Sequence, residues 1–327
     1  MSPRSGAAGL AGSRVFVTGG QGFLGSHVLE CLSREGAERM VAPGREAIDL
    51  RVPDAVVRAL RDARPHVVIH LAARVGGIGA NQKHPATFWH DNLLMGLNVL
   101  EASRLAGVGR VVVVGTVCAY PKHTPVPFRE ADLWNGFPEE TNAPYGVAKR
   151  ALATGLDAYR REFGLAGAFL LPANLYGPRD DFDLETSHVV PAMIRKCVEA
   201  VDSGSKRVRL WGTGRPSREF LYVEDAADAV VRAAASIDDP APMNLGTGRE
   251  ITMAALAGLV AAATGYRGAF DWDASRPDGQ PRRSLDVSEA SRRLEWKAKT
   301  SLEDGLLRTA RWYRESFSGK APCGSSS

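Results

Sequence analysis

From Arg14 the chain alternates short apolar runs with segments of helical length, and this rhythm restricts the fold more than any other feature. The run RVFVTGG leads into a helix predicted from about Phe23 to Glu35, then RMVAPG, a helix around residues 53 to 63, and HVVIHLAA. A helix around residues 86 to 106, the run RVVVVGTV, a helix from about Tyr145 to Phe163 and the run AFLLPANLYG continue it. Strands separated by helices pair in parallel and are covered on both faces, which is how four consecutive valines, Val111 to Val114, read. The expected fold is α/β, a Rossmann-like doubly wound parallel sheet.

After Pro178 the rhythm breaks. SHVVPAMIRKCVEAV reads as a helix, RVRLWG as a short strand, EDAADAVVRAAAS as an apolar-striped helix and PMNLGTG as a strand ending in a glycine turn. Three capped helices follow, with Thr252, Ser288 and Ser301 placed to cap them and Gly265 to end the first. At 327 residues the chain exceeds what one core usually organises. Residues 13–178 are therefore expected to form a dinucleotide-binding domain, rejoined by late strands and a helix from about 219–248. Residues 179–218 and 249–317 would form a smaller C-terminal substrate-binding lobe, with disordered ends at 1–12 and 318–327.

Composition narrows the partners. Net charge is +4, from 41 basic and 37 acidic residues, with the arginines scattered through both halves, so no nucleic-acid partner is expected and a small anionic ligand fits. No window approaches the ~18 apolar residues of a membrane span, and MSPRSGAAGLAGS lacks the apolar stretch of a signal peptide. Cys31, Cys118, Cys197 and Cys323 lie far apart with no CxxC pair, which suggests neither a metal site nor a disulfide framework and suits a reducing cytoplasm.

The chemistry begins at the first turn. Gly19, Gly22 and Gly25 follow a strand directly and open a helix, the arrangement in which backbone approaches a pyrophosphate and the helix N-terminus meets its charge. The second strand ends in Pro43, Gly44 and Arg45 without the acidic residue that holds a ribose 2′-hydroxyl. Arg45 can pair with a 2′-phosphate, which favours NADP(H), with NAD the alternative. APYGVAKR sets Tyr145 and Lys149 on one helix face, where an ammonium beside a phenol favours proton exchange with a sugar oxygen. Thr116, at the end of the valine strand, is placed to hydrogen-bond the same oxygen. His70, ending another buried strand, reads as structural.

With HLAARVGGIGAN, VCAYPK, TNAPYGVAK, PANLYGPRDDF, SHVVPAMIRK, WGTGRPSREFLYVEDAAD, NLGTG and RPDGQPRRSLDV in this order, the chain resembles the GDP-L-fucose synthases of the extended short-chain dehydrogenase/reductase superfamily over roughly residues 14 to 315. The resemblance implies an NADPH-dependent enzyme that epimerises GDP-4-keto-6-deoxy-mannose at C3 and C5 and then reduces C4. It implies Cys118 as base and His188 as acid on opposite faces of the sugar, with Thr116, Tyr145 and Lys149 at C4. Phe23, Leu24, Leu71, Ala72, Ala73, Pro172, Asn174 and Leu175 would line the cofactor site beside the glycines. Lys196, Trp211, Arg218, Asp278 and Arg283 would hold the nucleotide sugar, and a homodimer through the two long helices is expected. Arg218 as a surface ion pair and Trp211 as core packing are the bland alternatives, as is helix capping or pairing with Glu185 for His188. The resemblance departs at Thr116, where serine is usual, and at Arg283, where lysine is usual. Thr116 keeps open a rival, a GDP-mannose 3,5-epimerase that recycles its cofactor, and a second rival is an inactive dinucleotide-binding sensor.

Overall fold

The computed structural model describes residues 9–76, 78–276 and 278–317. The expected disordered stretches at 1–8 and 318–327, with Cys323, lie outside the described residues. Residues 9–12 depart from expectation: Leu10 is buried in the core, and Gly12 turns the chain into the first strand with a φ of 71°.

A six-stranded sheet carries the first half. It comprises β1 (Arg14–Thr18), β2 (Arg39–Val41), β3 (Val67–His70), β4 (Arg110–Val114), β5 (Ala166–Pro172) and the late strand β9 (Met243–Leu245). The order is β2-β1-β3-β4-β5-β9 and every pairing is parallel. Helices α1 (Phe23–Arg34), α2 (Pro53–Ala63), the short α3 (Ile78–Lys83), α4 (Pro85–Leu105) and α5 (Ala143–Phe163) connect the strands. Helices α2, α4 and α5 pack together on one side of the sheet, while α1 packs against a later helix, α7 (Val223–Ser236), on the other. Val111 to Val114 are all buried, as cover on both faces requires.

The run AFLLPANLYG does not form one strand. Ala173 separates β5 from β6 (Asn174–Tyr176), which leaves the large sheet and pairs with β8 (Ser217–Tyr222), itself flanked by β10 (Glu250–Thr252). Residues 219–222 therefore lie in this second sheet and not in the large one, a correction to the expected boundary; only β9 and α7 join the large sheet. Helix α6 (Val189–Ser203), α8 (Met253–Thr264), α10 (Leu302–Phe317) and the parallel pair β7 (Arg207–Trp211) and β11 (Ala269–Asp273) complete a lobe with its own apolar core around Tyr176, Ile194, Leu210 and Leu306.

Local capping explains several ends. The Thr252 hydroxyl accepts from Ala255 N at 3.2 Å and the Ser301 hydroxyl from Asp304 N at 3.1 Å, while Gly265 ends α8 at φ 74°. Ser288 is not a cap but the first residue of α9 (Ser288–Leu294), and Asp286 Oδ1 accepts its N–H at 2.9 Å.

Candidate active site

A single cleft of about 940 Å³ runs from the first glycine turn across the C-terminal ends of the large sheet into the smaller lobe. Its position follows from topology: the chain passes from β1 outward to β2 and returns on the other side to β3, and the crevice opens where these directions diverge. At that point Gly19 has a φ of 72° and a Cβ there would lie 2.7 Å from Ala72 N, while a Cβ on Gly25 would run into the Gly19 carbonyl. Gly22 occupies the N-cap of α1 with no side chain to satisfy the first-turn N–H groups. Those donors at Phe23 and Leu24 are left for an anion, which fits a dinucleotide pyrophosphate.

Arg45, Leu71, Ala73, Pro172, Asn174 and Leu175 line the same groove. The sequence reading missed Gln21, Asp49, Leu50 and Arg51, which also line it. Arg51 grips Asp49 through two guanidinium nitrogens, the closer at 2.8 Å, and so holds that carboxyl down at about 2. The signal was present in the sequence, but Asp49 lies on the loop past β2 and not at the strand end where such an acid is sought.

Beyond β4 the chain leaves the sheet. Thr116 is extended, and its hydroxyl accepts from Cys118 N at 3.1 Å, capping a single 3-10 turn over Val117–Ala119. Cys118 thus reaches the cleft by a turn and not by strand alternation, because the side-chain oxygen competes with the ladder for the next N–H. Both residues line the cleft and are half-buried. Tyr145, one turn before Lys149 on α5, lines the cleft near Thr116 and Cys118.

The electrostatics differ from the simple tyrosine–lysine expectation. Enclosure raises the Tyr145 pKa, the nearby Cys118 raises it further, and the neighbouring Thr116 hydroxyl only partly offsets this. Lys149, 1 % exposed, donates to Val114 O at 2.9 Å, and burial pulls it down to about 8. His188 stands at the N-cap of α6 without capping it, and its ring makes no hydrogen bond among the described residues, so neither a cap nor a pair with Glu185 is formed. Its ring opens onto the cleft but is enclosed by protein on its other sides, which lowers its pKa, while Asp181 opposes the shift.

The far end of the cleft is basic and aromatic. Arg218 donates to Ser217 O at 2.8 Å and Asp278 O at 3.2 Å, and enclosure lowers it to about 10, so it is not a surface ion pair. Trp211 is 60 % exposed, which rules out core packing, and the Arg276 guanidinium lies 4.9 Å from its ring centroid. The Asp278 carboxylate accepts from Thr213 N at 2.8 Å and Thr213 Oγ1 at 2.7 Å, holding the turn after Trp211. Lys196 donates to Arg209 O at 2.9 Å, and Arg283 lies against Cys118. His70, as the sequence suggested, is buried and bonds Thr18 Oγ1 at 2.8 Å.

A glycine cradle at the switch point of a parallel sheet, with tyrosine and lysine one turn apart beside it, defines a nicotinamide-dependent oxidoreductase of the short-chain type. Residues 15–246 match the NAD dependent epimerase/dehydratase family. The chain is 42 % identical to a GDP-L-fucose synthase of Sinorhizobium fredii over 92 % of its length and 95 % of the relative's. It is 37 % identical to the GDP-L-fucose synthase of Escherichia coli, covering 92 % of this chain and 97 % of the relative. The solved structure of a GDP-L-fucose synthetase from Naegleria fowleri bound to NADP superposes with a TM-score of 0.86 at 29 % identity, over 93 % of each chain. The chain belongs to the NAD dependent epimerase/dehydratase family and, within it, to the GDP-L-fucose synthase family.

Proposed function

We propose that this chain makes GDP-L-fucose, or a closely related GDP-deoxy sugar, from GDP-4-keto-6-deoxy-D-mannose and NADPH. The observation that carries the reading is that Cys118, His188 and Tyr145 line the cleft that continues into the glycine cradle. The Gly19–Gly25 turn and the Phe23 and Leu24 N–H groups would hold NADPH, which would supply a hydride for C4 when bound. A ketone at C4 acidifies the hydrogens on C3 and C5, so each inversion needs a base on one face and an acid on the other. Cys118 takes the proton and His188 returns one from the far side. Tyr145, with the Thr116 hydroxyl beside it, delivers the proton to the C4 oxygen.

The diphosphate falls to Arg218 and Lys196, and the base to the open face of Trp211, so the smaller lobe around α6, β7, β8 and α8 is the nucleotide-sugar side. The enzyme acts as a cytoplasmic homodimer in this reading; no helix among the described residues is long and apolar enough to cross a membrane. The test is direct: the 4-keto-6-deoxy sugar with NADPH should consume one NADPH per GDP-L-fucose formed. GDP-mannose converted without added reductant would instead establish the cofactor-recycling epimerase, and no turnover with either would establish the sensor.

A further inference from the structure

Arg283 is buried, at 7 % exposure, and its guanidinium is fully committed on two sides. Nε and Nη2 donate to Gln280 Oε1 at 3.3 and 2.9 Å, and Nη1 donates to Cys118 Sγ at 3.4 Å. Gln280 is itself 4 % exposed and anchored, its Nε2 donating to Lys122 O at 3.1 Å on the strand-leaving segment that carries Cys118. Loop and thiol are therefore clamped by one amide. Among the described residues no carboxylate pairs with Arg283 or with the neighbouring Arg218, whose charge also faces the sulfur.

A thiol must lose its proton before it can act as a base, and an adjoining cation favours that loss. Arg283 is the cation whose N–H reaches the sulfur, whereas the His188 ring makes no hydrogen bond among the described residues. A buried guanidinium without an anion is costly, so the sulfur is where the compensating charge belongs. We propose that Arg283, oriented by Gln280, is a positioning residue that holds Cys118 in its thiolate form ready for the inversions.

The step balances simply. The Sγ–H bond breaks and its proton leaves to solvent; the thiolate then takes the C3 or C5 proton, an S–H bond forms, and the C–H electron pair moves onto the C4 carbonyl oxygen. Only a planar fork can bond the amide oxygen twice and the sulfur once, so a lysine at 283 keeps the charge but loses the aim.

This deepens the proposed epimerase role of Cys118 but its test needs no sugar. The full chain is treated with iodoacetamide between about pH 5 and pH 9.5, and alkylation at Cys118 is followed by peptide mass spectrometry, separately from Cys31, Cys197 and Cys323. The groups facing the sulfur are Arg283, Arg218 and Tyr145, and Arg218 and Tyr145 are unchanged in the variants. At about pH 6 the wild type should react roughly tenfold faster than Arg283→Met, and the two should converge near pH 9.5, because only the thiolate fraction differs. Arg283→Lys and Gln280→Leu should fall between them. Superimposed profiles, or a rate change equal at every pH as altered access alone would give, overturn the proposal. Protection of buried Cys31 and Cys197 reports folding; if Arg283→Met unfolds, the lysine and Gln280→Leu profiles decide by the same criterion. Loss of the sugar reaction with a normal alkylation profile would count against the substrate reading alone.

Discussion

Cys118 and Tyr145 share one cleft yet serve different carbons, so substitutions there should separate the two half-reactions. Cys118→Ser should lower solvent deuterium exchange at C3 and C5 by about 10²–10⁴-fold, the usual range for a lost general base, while NADPH oxidation with the un-inverted 4-keto sugar persists at a reduced rate. Tyr145→Phe should do the reverse, stopping NADPH oxidation while exchange continues; proton NMR in D₂O with a parallel absorbance assay reads both. A different charge effect sits at Asp180, buried at 9 % exposure with its carboxyl pushed up to about 7 by enclosure. Its folded value lies above the ordinary 3.8, so the native state binds the proton more tightly than the unfolded chain. Its stability contribution is complete below about pH 4 and is lost as pH rises toward 7. Asp180→Asn should therefore stabilise the protein at pH 8 by on the order of 3 kcal/mol, with the gain gone near pH 4, in urea denaturation at both values.

Among the elements, β8 joins what the chain order keeps apart. The Glu219 carboxylate, 1 % exposed, accepts the N–H groups of Thr247, Gly248 and Leu285 and the Ser284 hydroxyl, tying the small sheet to the turn after β9 and to the segment before α9. Glu219→Ala leaves three N–H groups without their acceptor, that of Leu285 buried and those of Thr247 and Gly248 partly open to water, so a loss of roughly 3–5 kcal/mol in chemical denaturation is expected, at about 1–3 kcal/mol for each group that stays unpaired. None of this is legible in a single sequence. The parallel strands were, because cover on both faces writes itself as Val111 to Val114, and so were the glycine cradle and the tyrosine–lysine turn, whose spacing is local. Strands β6 and β10 are three residues each and show no period, and the 3-10 turn at Cys118 comes from one threonine hydroxyl. Cys118, His188, Trp211 and Arg218 stood out only by resemblance. Gln280 stood out not at all, since its role depends on a carbonyl 158 residues away.

At the scale of the whole molecule, α4 presents the feature that bears on assembly. Trp89, Leu93 and Leu97 recur every fourth residue on one face, and Trp89 and Leu97 remain 44 % and 40 % exposed although the opposite face of α4 is packed against α2 and α5. Isolated exposed apolar residues carry no implication, whereas an aligned stripe on a rigid helix is costly to leave in water. A two-fold axis beside α4 would set the stripe of one copy against its equivalent and give an isologous interface. None of Trp89, Leu93 and Leu97 lines the cleft, which α4 meets through Asp91 and Met95, so each copy would keep a complete site. Sedimentation should then give twice the 35.1 kDa chain mass for the wild type. Leu97→Glu would place like charges opposite each other across such an axis, and it should sediment as a single chain that still oxidises NADPH with the keto sugar. A wild type that stays monomeric at micromolar concentration would remove α4 from the assembly altogether and leave its stripe facing solvent.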